Sequence, residues 1–143
     1  MPHIRRRLSL LALIPLLALA PACENSVSIE PDVLAGSYTA TSFVVTQTGQ
    51  PAVDVLAKGG SLRIDIAADS TTTGLLSLPA GVLSPTGGTA DMAGRISRLS
   101  DGSFKFSQSA NSFINQLTWQ QFTDALVSTS FISNTQFQIT LRK

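Results

Sequence analysis

The chain has 143 residues, and ten basic side chains against nine acidic ones leave it almost neutral. Arg5, Arg6 and Arg7 are three of those ten, so the rest has a slight acidic excess, with no basic patch and no aromatic-basic interleaving; this excludes the electrostatic footprint of a nucleic-acid binder. A single histidine, His3, and a single cysteine, Cys23, supply no Ser-His-Asp or Cys-His machinery and no usual zinc ligand set, so neither catalysis nor a metal or cofactor is expected.

In chain order, the three arginines precede an apolar run from Leu8 to Ala20. A charged region followed by a short apolar core has the form of a secretory signal. The run falls short of the roughly 20 apolar residues of a membrane span, and Pro15 and Pro21 weaken a span further. Residues 1–22 are therefore expected to be an export signal helix. The segment Leu19-Ala20-Pro21-Ala22-Cys23 resembles the lipobox of bacterial lipoprotein precursors, with Pro21 departing from the usual residue at its place. The resemblance implies that Cys23 becomes the N-terminus and carries a diacylglyceryl group and palmitate-type chains, so that the membrane is a partner. Several acyl chains hold durably where one does not, at roughly 0.8 kcal/mol per buried CH₂. Glu24 stands where an aspartate marks inner-membrane retention, which by the same resemblance implies an outer-membrane protein facing the periplasm or the exterior. The competing reading is an ordinary signal cut near Ala20 or Ala22, with Cys23 a free thiol. A lone cysteine forms no intrachain disulfide in either case.

Residues 23–35 read as a polar, proline-containing tether. From Gly36 the chain is rich in Thr, Val, Tyr and Phe, residues that suit a pleated, half-buried surface. Period-two alternation and turn residues predict strands at 36–47, 61–67, 74–79, 89–98, 103–108, 112–121, 126–133 and 136–142. Between the first two, Val53, Leu56 and Ala57 predict one or two turns of helix stopped by Gly59-Gly60. Asp69 to Thr73 reads as a polar turn, residues 79–89 as a loop with two prolines, and Asp101-Gly102 as a tight hairpin turn. Thr123-Asp124 and Asn134-Thr135 are the last turns.

Short links demand antiparallel neighbours, and eight such strands with one apolar face leave no exposed edge when the sheet closes on itself. The expected fold is all-β, an eight-stranded antiparallel up-and-down barrel over 36–143, with a two-sheet β-sandwich as the alternative. Gly36-Ser37-Tyr38 opening the first strand and Arg142 ending the last are similar to lipocalin-like (calycin) proteins. That resemblance implies a barrel base closed at Gly36 and Tyr38, with Arg142 laid across the tyrosine ring by a cation–π contact. It also implies a cavity for a small apolar ligand, with Ile64, Ile66, Leu76, Met92, Ile96, Phe104, Phe106, Trp119, Phe137 and Ile139 as its lining. Eight-stranded barrels either fill with side chains or hold one ligand. Two functions follow. The first is a lipid-anchored envelope protein that binds an apolar ligand without chemistry. The second is a structural or interaction module with a filled core, in which loop 79–89 or 48–60 meets another envelope protein.

Overall fold

Alternate burial organises the described residues, 34–143 of a computed structural model. The export signal, Cys23 and the tether up to residue 33 lie outside the described residues. β3 (Ser61–Ile66) buries Leu62, Ile64 and Ile66, and β10 (Thr135–Arg142) buries Thr135, Phe137, Ile139 and Leu141. Successive side chains on a strand face opposite sides, so each strand gives one row to the interior and one to solvent. β1 (Gly36–Gln47) changes phase midway, burying Tyr38 and Ala40, then Phe43 and Val45. The register against β10 shifts between Ala40 and Ser42, and this bulge adds the residue that turns the second half inward.

The other strands are β2 (Val53–Asp54), β4 (Thr71–Leu78), β5 (Gly88–Asp91), β6 (Gly94–Arg98), β7 (Phe104–Gln108), β8 (Thr118–Phe122) and β9 (Ala125–Ile132). The antiparallel order is β10-β9-β8-β7-β6-β4-β3-β1, and β1 pairs back onto β10. Eight strands thus close into the up-and-down barrel that the alternation predicts; the sandwich does not form. β2 and β5 are short additions paired to β1 and β4.

Both barrel ends follow from this order. The turns at 67–70, 99–103 and 123–124 gather at the end where β1 begins, the base. The connections at 48–60, 79–87 and 109–117, with the turn at 133–134, gather at the other end, the mouth. At the base, Gly102 takes the left-handed φ of +86° expected of the Asp101-Gly102 turn. On the wall, Gly74 has φ +140°, and a Cβ there would lie 2.1 Å from the Arg63 carbonyl oxygen on β3. Only a glycine lets the two strands cross this closely.

Four local expectations are corrected. The strand expected at 89–98 breaks at Met92–Ala93 into β5 and β6, opposite Gly74 with its φ of +140°; both pieces keep one register on β4, so parity still carries Met92 into the core with Ile96. β4 begins at Thr71, not at residue 74, since Asp69 completes its turn by accepting from the Thr71 N–H and hydroxyl and leaves Thr71–Thr73 free to pair. No helix forms over 50–58. Val53–Asp54 pair with β1, and a single turn follows, in which Asp54 caps the Leu56 and Ala57 N–H groups and Gly59 and Gly60 close back on Leu56 and Val55. The strand expected at 112–121 is a 3₁₀ turn, Phe113–Gln116, followed by β8.

Candidate functional site

The ten residues expected to line a cavity are all buried, and they pack into one apolar cluster with Tyr38, Phe43, Leu62, Leu126 and Leu141. Phe106 and Trp119 meet edge to face with centroids 5.4 Å apart, a favoured geometry for two ring quadrupoles. The barrel interior is therefore filled by its own side chains along these rows. The Trp119 indole N–H is buried in this cluster and bonds to no acceptor among the described residues.

The base is closed differently from the expectation. Arg142 follows the inward-facing Leu141, so strand parity turns it out of the barrel, where its guanidinium pairs with Asp124 at 3.0 Å. Lys143 shares the parity of Leu141 and places its ammonium 5.5 Å from the Tyr38 ring centroid. Its stem crosses Gly36, with Cε 3.0 Å from where a Cβ would stand. Tyr38 and Gly36 form the base, with Lys143 as the covering cation. Burial raises the Tyr38 phenol above its ordinary pKa.

The mouth carries the side chains that periodicity missed. Val55 and Ile114 are fully buried there, and Phe113 stacks on Phe137 at 4.5 Å and meets Phe43 at 6.1 Å. The 3₁₀ turn is what aims Phe113 and Ile114 at the barrel axis. Asn115 fixes that turn: its Oδ1 accepts from the Gln108 N–H at 2.7 Å, and its Nδ2 donates to the Gln108 and Ala110 carbonyls at 3.2 Å. In the sequence, the signal was Phe122 falling out of phase with Phe113, Leu117 and Trp119.

Loop 79–87 crosses the mouth and holds its own shape. The Gly81 N–H donates to the Ser84 carbonyl at 2.8 Å, and the Ser84 hydroxyl donates to the Gly87 carbonyl at 3.2 Å. A cleft lies on each side of it. Toward β1 there is one of about 160 Å³ at Val45, Pro51, Val53 and Val82. Toward the 3₁₀ turn there is one of about 250 Å³, walled by Leu76, Leu78, Leu83, Ala90 and Phe113, with Ser112 in its lining. Of the ten expected lining residues, only Leu76 reaches this larger cleft.

Carboxylates serve the turns. Asp69 and Asp101 are held below the ordinary carboxylate range by the Thr71 and Ser103 hydroxyls and N–H groups, and Asp65 by the Ser37 hydroxyl and then by Arg63. Among the described residues no group of three or more His, Cys, Asp or Glu is placed to hold a metal ion, and no helix is long and apolar enough to cross a membrane.

The fold and site define a closed eight-stranded antiparallel β-barrel whose interior is packed and whose mouth is partly stoppered by loops. No family model, curated protein or solved structure matches the chain.

Proposed function

We propose that this is an exported, lipid-anchored envelope protein whose lipocalin-like barrel binds a small apolar ligand at its mouth, without catalysis. The observation that carries the reading is the 250 Å³ cleft between loop 79–87 and the 3₁₀ turn, with its aliphatic and aromatic walls. Ligand sites are mostly apolar concavities with a few placed polar groups, and this one lies below the usual 300–1,000 Å³ range, which fits a small ligand. Water exclusion drives such binding at roughly 25 cal/mol per Å² before ordering costs. Export and anchoring rest on the Arg5–Arg7 and Leu8–Ala20 pattern and on Cys23.

Two measurements test this. Mass spectrometry of the membrane-extracted protein is expected to find acyl mass on an N-terminal Cys23, and Cys23→Ser is expected to move the protein out of the membrane fraction. An unacylated N-terminus with unchanged fractionation removes the anchor. Amide spectra titrated with small apolar probes are expected to shift at residues 83–90 and 111–113; silence there across a broad panel removes ligand binding. The filled interior favours one other reading, an interaction module. A silent mouth, with crosslinks running from loop 79–87 to one envelope protein, is its signature.

A further inference from the structure

We propose that the mouth cleft selects uncharged ligands that carry one hydrogen-bonding group, with Ser112 as the group that recognises it. This rests on the reading of the cleft as a ligand site. None of the residues lining it is charged; its apolar walls, Leu76, Leu78, Leu83, Ala90 and Phe113, stand beside the neutral polar residues Ser84, Thr89 and Asn111. A carboxylate or phosphate entering there loses water and gains no cation, and an unpaired buried charge is strongly disfavoured. The Ser112 hydroxyl is covered at the cleft wall and bonds to nothing among the described residues. Buried hydroxyls are nearly always partnered, so this one has unspent capacity both to donate and to accept. On this proposal, a ligand that displaces part of the cleft wall uncovers it. Volume sets the size. An apolar cavity of about 150 Å³ holds benzene, so 250 Å³ takes about ten non-hydrogen atoms, the size of a medium-chain amide, alcohol or ketone.

The test uses the full chain with Cys23→Ser, checked first for the dispersed amide spectrum of a folded barrel. It is titrated with octanamide and with octanoate, which match in size and differ in charge at about pH 7. Octanamide is expected to shift the amides of Leu83, Thr89 and Phe113 and to bind at least about ten-fold more tightly than octanoate. Ser112→Ala is expected to weaken octanamide several-fold, and Ser112→Thr, which keeps the hydroxyl, to retain most of its affinity. Octanoate binding as tightly as octanamide overturns the selection for neutral ligands and leaves the cleft a site. Unchanged octanamide affinity in Ser112→Ala overturns the assignment of the hydroxyl. No shift with either probe, in a folded protein, overturns the ligand-binding reading beneath both.

Discussion

Thr72 and Gln108 show how a single polar pair makes a barrel wall continuous. The break between β5 and β6 takes the Met92 carbonyl out of the ladder, and a buried carbonyl without a donor is costly. The Thr72 hydroxyl donates to the Met92 carbonyl at 3.0 Å, and the Gln108 amide nitrogen faces Thr72 Oγ1 and the Met92 and Ala93 carbonyls. Thr72→Val keeps the shape and removes the donor, so it is expected to destabilise by about 1–3 kcal/mol, read from the urea midpoint at constant m. Gly74 is the backbone counterpart. With its positive φ and the Arg63 carbonyl 2.1 Å from a virtual Cβ, Gly74→Ala is expected to cost about 2–3 kcal/mol by the same measurement. A loss within a few tenths of a kcal/mol in either variant contradicts the role given to that residue. Neither role was legible beforehand. Thr72 looked like part of a polar turn, and nothing local in the sequence says which carbonyl a glycine will meet.

Turns are the elements where local chemistry decided most. Asp69 and Asp101 each accept from the N–H and the hydroxyl two residues on, through Thr71 and Ser103. This Asx geometry is built from neighbours in the chain, so the sequence could announce it. Both carboxyls, with Asp65, have folded-state pKa values below the ordinary one. A carboxyl whose pKa is lowered by folding contributes stability above its unfolded pKa, about 3.9, and that contribution is lost as pH falls through the lowered value. Stability is therefore expected to fall on acidification below about pH 4, and Asp69→Asn and Asp101→Asn to flatten that limb. Urea midpoints across the acid range check this; parallel acid limbs in variants and wild type would contradict it. The 3₁₀ turn is the opposite case. Phe113 alternates with Leu117 and Trp119 as a strand residue would. Only contact with Phe137 and Phe43 and the Asn115 bonds to the neighbouring backbone select the tighter turn.

Closure at the scale of the whole molecule is uneven. β1 and β10 align over eight residue pairs, as do β9 and β10, whereas β7–β8 aligns over two. Few ladder bonds and a partly open seam make local opening easier. Amide exchange is expected to be slowest on β9, β10 and the second half of β1, and faster along the β7–β8 seam. Uniform protection around the barrel would refute this gradation. The long seams lie at and beside the closure of β1 on β10, and the weak one lies away from it.

Alternation of apolar residues along Leu62-Ile64-Ile66 and Phe137-Ile139-Leu141, with short polar links, was enough to specify a closed antiparallel barrel and the burial of all ten expected interior residues. That pattern is local, because strand parity alone assigns each side chain to a face. Three things waited for the tertiary structure: the phase change in β1, the exchange of Arg142 for Lys143 over Tyr38, and the stoppering of the mouth by Phe113, Ile114 and Val55. Each depends on where distant segments meet once the sheet has closed, and a one-residue offset in register, invisible in composition, moves a side chain from solvent to core.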